Sequence, residues 1–297
     1  MKRLLILGSG TGGSIMANKM RKSLKSSEWD ITVIDRSDKH YYQPGQIFMP
    51  FKLYGYDSTK GSVRNSKDFI PQGVNHVIDE ITRLEPDKNK VITQNGSYEY
   101  DWLILSLGCR IAPEEIDGME EGYGKNVFYF YTPKSAMDMQ TALANFDGGK
   151  LVLNIAEFPI KCPVAPIEYI CLADYYFKLR GIRDKVQLEV VTSMDSIFTK
   201  PVAAQIMGSM LRERGINIVP NFSLAEVDSD KGEIKSYDGN KVSFDFLAAI
   251  PPNVGPAIID EAGMGNGMGY ALTQPNTLKS EKYPNIYVLG DNTNVTT

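Results

Sequence analysis

Cys162 stands in the run Phe158-Pro-Ile-Lys-Cys162-Pro-Val-Ala-Pro-Ile-Glu168. Its thiolate would be a nucleophile. The apolar run 150–156 ahead of it predicts a buried strand, and the amphipathic stretch 167–179 behind it predicts a helix. The cysteine therefore falls in a strand-to-helix turn, where the positive helix end favours a thiolate. In a nucleotide-binding α/β unit that turn carries glycines, which let backbone amides approach a pyrophosphate. Here it has none, and Phe158, Pro159 and Ile160 would block such an approach, so NAD(P)H is expected to be a poor electron donor. The turn reads as a nucleotide site rebuilt for sulfur chemistry. Glu168 is placed either to relay protons to and from sulfur or to be a solvated helix carboxylate. Lys161 either steadies a thiolate or is simply exposed. Cys171, nine residues past Cys162 on the same predicted helix, is about 13 Å away. That exceeds the roughly 7 Å limit for a disulfide, so it is read as a core residue.

A second constellation opens the chain. The β run 3–7 leads into Gly8-Ser-Gly10-Thr-Gly-Gly13, a helical segment over 14–23, and a strand 30–35 that ends in Asp35, 22 positions after Gly13. The glycines permit a tight turn and close approach to a pyrophosphate, and the terminal acid accepts hydrogen bonds from a ribose. The strand-like 284–289 runs into Gly290-Asp291, and Tyr100-Asp-Trp-Leu-Ile-Leu-Ser-Leu-Gly108 is a strand ending in a small-residue turn. These two resemble further fingerprints of FAD-dependent enzymes with two dinucleotide-binding domains, in which the acid binds the ribityl and pyrophosphate part of the flavin. Their order favours FAD over NAD. The segment His40-Tyr-Tyr-Gln43-Pro44-Gly45 suits a turn lying over a cofactor, with Gln43 and backbone available to a ring edge; a surface turn with buried tyrosines is the alternative.

The elements that must position these residues form two βαβ series. The first domain is expected over 1–110 and 256–297, with a small covering sheet from 75–83 and 90–94. The second, over 111–255, begins with Thr132-Pro133 as helix cap and first helical residue. It continues through helix 133–146, strands 151–156, 186–192, 216–219 and 246–250, helix 201–214, and a hairpin closed at Asp238-Gly239. The fold class is α/β, with two Rossmann-like dinucleotide-binding domains.

Composition bounds the partners. The 297 residues are 42% hydrophobic and 23% charged, which suits one large or two medium globular domains. With 32 basic and 36 acidic residues the formal net charge is -4, so nothing favours nucleic-acid binding. No run approaches the roughly 18–20 apolar residues of a membrane span, and the apolar start is too short for a signal peptide. A cytoplasmic place is expected, with peripheral contact at a membrane face. Three cysteines and two distant histidines make neither a disulfide framework nor a zinc site.

The Cys-Pro-x-x-Pro-x-Glu turn from Cys162 to Glu168, the flanking FAD fingerprints and the Pro251-Pro252-Asn-Val-Gly255 turn resemble the sulfide:quinone oxidoreductases and the flavoprotein subunit of flavocytochrome c sulfide dehydrogenase. The resemblance spans the chain. It implies that Cys162 carries sulfur as a persulfide, that two electrons pass to FAD and on to a quinone, and that sulfide leaves as zero-valent or chain sulfur. It also implies a second redox cysteine, a quinone pocket and membrane-contact helices in a C-terminal region expected beyond Thr297. Phe128-Tyr-Phe-Tyr131 stands where some relatives hold a flavin-linking cysteine, so FAD is expected to be non-covalent. Self-association is compatible with the sequence. The flavocytochrome subunit is disfavoured by the lack of an export signal, and a type II NADH:quinone oxidoreductase by the missing second glycine turn. A flavin-binding protein that senses or stores sulfur without turnover is the non-enzyme alternative.

Overall fold

Among the described residues, ten strands build the parallel sheets. In order they are Lys2–Leu7 (β1), Trp29–Asp35 (β2), Asn75–Ile78 (β3), Trp102–Leu105 (β4), Val127–Phe128 (β5), Gly149–Ile155 (β6), Val186–Thr192 (β7), Ile216–Val219 (β8), Phe246–Ile250 (β9) and Ile286–Val288 (β10). The main helices are Thr11–Ser23 (α1), Pro133–Ala144 (α2), Ala165–Leu179 (α3) and Pro201–Glu213 (α4). The computed structural model describes residues 1–295. Two compact units result: one from Met1–Tyr42, Val63–Arg110 and Val254 onward, the other from Gln43–Ser62 and Ile111–Asn253.

The first unit centres on a five-stranded parallel sheet ordered β10-β4-β1-β2-β3. Side chains of β1 alternate between two cores, as the pleat requires. Leu4 and Ile6 pack with Ala17 of α1, whereas Leu5 and Leu7 pack with Ile81, Leu84 and Val91. Those last residues belong to an antiparallel sheet of Ile81–Glu85, Lys90–Thr93 and Ser97–Glu99. The covering sheet is thus present, but Asn75–Ile78 is not part of it. That segment pairs in parallel with β2 as an edge of the main sheet.

The second unit repeats the plan with the order β5-β9-β6-β7-β8, all parallel. Leu151, Leu153 and Ile155 of β6 face a core shared with Met139 and Leu143 of α2 and with Ile167, Tyr169, Ile170 and Phe177 of α3. Val152 faces the other way, toward Leu224, Val227 and Ile234 of a three-stranded antiparallel sheet. Each fully buried aliphatic side chain of this kind contributes about 1.5–3 kcal/mol. The predicted start of α2 holds: Thr132 Oγ1 accepts from Ser135 N–H at 3.1 Å, Thr132 N–H donates to Ser135 Oγ at 3.2 Å, and Pro133 follows. The Gln43–Ser62 segment, expected in the first domain, packs here through Ile47, Met49 and Phe51. Among the described residues no helix is long and apolar enough to cross a membrane.

Candidate functional site

The glycine turn between β1 and α1 is built by backbone proximity. Gly8 has φ +94°, and a Cβ there would lie 2.3 Å from the Ser106 carbonyl oxygen. A Cβ on Gly13 would lie 1.8 Å from the Gly8 carbonyl oxygen. Both positions therefore require glycine so that strand and helix can meet. Gly10 differs, since a Cβ there meets nothing within 4 Å. Its side of the turn faces open space. Gly108 and Gly290, with φ +70° and +73°, are likewise open where a side chain would be.

Asp35 ends β2 as predicted, but its carboxylate is already engaged. One oxygen accepts from Ser9 N–H at 2.6 Å and Ser9 Oγ at 2.9 Å, and the other from Ser37 N–H at 3.0 Å. A third hold on Ser9 comes from His40, a buried side chain whose Nδ1 lies 3.1 Å from the Ser9 carbonyl oxygen and whose ring stacks on Phe69 at 4.2 Å. The sequence places His40 at the start of the turn suited to lie over a cofactor, but its hold on Ser9 is not encoded there, because an isolated histidine carries no pattern. Asn292, next to exposed Asp291, was missed. Its Oδ1 accepts from Gly108 N–H at 3.4 Å, and its buried Nδ2 has no hydrogen-bond partner among the described residues. That orphaned donor, the open faces of Gly10, Gly108 and Gly290, and the amides at the N-terminus of α1 fit the pyrophosphate and ribityl parts of FAD.

Gln43 and Pro44 open a short 3-10 helix, Gln43–Ile47, and both are exposed. The tyrosines beside them are exposed too, Tyr41 at 40% and Tyr42 at 51%, so the reading of a turn with buried tyrosines does not hold.

In the second unit Cys162 is an exposed free thiol at the carboxyl end of β6. Helix α3 begins two residues earlier than expected, at Ala165, and Ala165 N–H donates to the Cys162 carbonyl oxygen at 3.2 Å. Ala156 N–H donates to Ile250 O at 3.1 Å, and Lys161 N–H to Asn253 Oδ1 at 3.1 Å, tying the turn to the segment that leaves β9. Glu168 is the fourth residue of α3 and faces solvent. The Lys161 ammonium lies 5.5 Å from the centre of the Tyr131 ring, so it is held by an aromatic face. Glu157, just past β6, was not singled out in the sequence; burial, with the Glu115 carboxylate as second cause, holds its carboxyl above the usual range. Cys171 is half-buried against the α-helical core, and burial pushes its thiol up, Arg214 opposing and Asp174 adding, which suits a packing role.

Comparison with known proteins places this geometry. Residues 2–144 match the pyridine nucleotide-disulphide oxidoreductase family model. The mitochondrial sulfide:quinone oxidoreductase of Dictyostelium discoideum is 30% identical over 302 residues, covering 99% of this chain and 66% of that protein. Its Mus musculus counterpart is 28% identical with the same coverage. The solved sulfide:quinone oxidoreductase of Aquifex aeolicus superposes with a TM-score of 0.85 at 22% identity, over 99% of this chain and 69% of that one, which shows the fold. The chain thus spans slightly less than two thirds of the length of the first two relatives. In sequence it is related to the sulfide:quinone oxidoreductases over nearly its whole length, and it shares the fold of the pyridine nucleotide-disulphide oxidoreductases.

Proposed function

We propose that this chain carries the flavin- and sulfur-handling part of an enzyme that oxidises sulfide to zero-valent sulfur or polysulfide and delivers the electrons to a quinone. The observation that carries the reading is Cys162: an exposed free thiol replaces the glycines at the carboxyl end of β6, in a chain whose other unit keeps its glycine cradle. Gly8, Gly10, Gly13, Asp35, Gly108, Gly290 and Asp291 would hold FAD, non-covalently, with Gln43 and Pro44 as further contacts. Bound FAD supplies a two-electron acceptor that is reoxidised by quinone.

The Cys162 thiolate combines with hydrosulfide to form a persulfide, releasing one proton and two electrons: RS⁻ + HS⁻ → RSS⁻ + H⁺ + 2e⁻. The new bond is S–S, the broken bond is S–H, and the sulfur pair is oxidised. Glu168, on the solvent side of the first turn of α3, takes the proton outward. Phe158 and Pro159 keep a nicotinamide dinucleotide from the same turn. A lipid-soluble quinone is met at a membrane surface, so the reading includes peripheral contact with one and allows self-association.

The test is anaerobic mixing of the FAD-loaded protein with sulfide and, separately, with NADH, following flavin absorbance. Sulfide should bleach the flavin and NADH should not. Cys162→Ser should retain FAD yet lose reduction by sulfide by at least about 100-fold. Full sulfide reduction in that variant, or rapid bleaching by NADH in the parent, overturns the assignment.

A further inference from the structure

We infer that Asn253 is a positioning residue for Cys162: a buried amide that latches the cysteine turn one residue away from the thiol. The inference rests on the sulfur-carrying role just proposed and extends it to a residue outside the turn.

The run from Glu157 to Val164 forms no regular strand or helix. Its entrance is fixed by Ala156 N–H donating to Ile250 O, and its exit by Ala165 N–H donating to Cys162 O. Between these ties lies the bond from Lys161 N–H to Asn253 Oδ1, at 3.1 Å. The peptide it holds joins Ile160 to Lys161, one residue ahead of Cys162. Asn253 is 1% exposed, so the bond is shielded from competing water.

The orientation of the amide follows from its two partners. Nδ2 donates to the Pro251 carbonyl oxygen at 3.0 Å, which turns Oδ1 toward Lys161. A flipped amide would set N–H against N–H at one end and oxygen against oxygen at the other. The support behind it is stiff, because Pro251 and Pro252 have fixed φ and Pro252 O accepts from Ala112 N–H at 2.7 Å. Asn253 thus transfers the rigidity of the β9 exit to a turn that has lost the tight glycine geometry of its counterpart between β1 and α1. Positional error of about 1 Å at a reacting group costs on the order of 100-fold in rate.

The test compares the FAD-loaded full chain with Asn253→Ala and Asn253→Asp, which retains Oδ1 as an acceptor. Hydrogen exchange at the Lys161 amide should accelerate at least about tenfold in the alanine variant while the amides of β6 stay protected. The limiting rate of flavin reduction by sulfide should fall between about 10- and 100-fold. The sulfide concentration at half-saturation should change by less than about twofold, and the aspartate variant should recover part of the rate. Unchanged exchange at Lys161 overturns the latch. So does a loss of rate in the alanine variant that the aspartate variant fails to recover at equal stability. If the parent protein is not reduced by sulfide, the functional reading fails by itself, and the exchange at Lys161 still decides whether the latch exists.

Discussion

Two glycines of one turn should fail in opposite ways when each is replaced by alanine. At Gly13 the added methyl would stand 1.8 Å from the Gly8 carbonyl oxygen and 2.8 Å from Ser106 Oγ. An ordinary contact needs roughly 3.4 Å, so helix and turn must part by about 1.5 Å. Gly8 cannot give way, since its N–H is bonded to Ile34 O at 2.8 Å and its own Cα side abuts Ser106 O. Helix α1 must move instead, lifting Ala17 from Leu4, Ile6 and Val33. Overpacking typically costs about 1–3 kcal/mol, and with backbone on both sides the upper end applies. Gly13→Ala should therefore lose about 3 kcal/mol, a large part of the roughly 5–15 kcal/mol that holds a domain together. Gly10 has φ -65° and ψ -164°, which any residue adopts, and open space around it. Gly10→Ala should leave the flavin-free protein as stable as the parent. Its methyl should nevertheless weaken FAD binding at least tenfold, about 1.4 kcal/mol, by filling the approach to the pyrophosphate. Guanidinium unfolding of the flavin-free proteins and calorimetric titration with FAD separate the two effects. Unchanged FAD affinity in Gly10→Ala, or an unshifted unfolding midpoint in Gly13→Ala, would refute the assigned cradle.

Two side chains of the second unit make further tests. Asp174, 1% exposed, accepts from Arg183 Nε at 2.6 Å and Lys178 Nζ at 2.7 Å; burial pushes its carboxyl up, but those two hydrogen bonds together with the positive charges of Lys178 and Arg183 outweigh it and hold the group below its ordinary range. Stability from this lowered pKa is present above about pH 4 and is lost as pH falls, so Asp174→Ala should cost about 3–5 kcal/mol at neutral pH in urea unfolding and flatten the acid limb. Glu157 has the opposite sign. Its raised carboxyl favours the protonated form, so ionisation on going to neutral pH costs stability, and Glu157→Gln should raise the neutral unfolding midpoint with the gain vanishing below about pH 4; an equal gain at both pH values would exclude burial of the charge as its cause.

What the sequence discloses and what it hides differ for a physical reason visible in these two turns. Gly8, at positive φ and against backbone, and Gly13, against backbone alone, were legible because each position admits one residue type, so the constraint is written in the residue itself. Asp35 was legible in position, yet its bonds to Ser9 were not, since a strand-end acid satisfies a turn and a ribose with the same atoms. Gln43 and Pro44 fell in the wrong unit because proximity along the chain stood in for packing. What draws 43–62 to the second unit is Phe51 against Tyr169 at 5.2 Å and Tyr176 at 5.6 Å, long-range contacts that no local pattern encodes. Asn75–Ile78 misled for a related reason: a four-residue edge strand with no fully buried side chain lacks the apolar run that marked β1 and β6. The cysteine turn combines both situations. Its proline and cysteine spacing motivates the proposed chemistry, while the amide and carboxylate around it, Asn253 and Glu157, are residue types that ordinary turns also use. A turn held by backbone closeness constrains its own sequence. One held by a distant side chain shifts the constraint to a residue some 90 positions away, where only the fold reveals it.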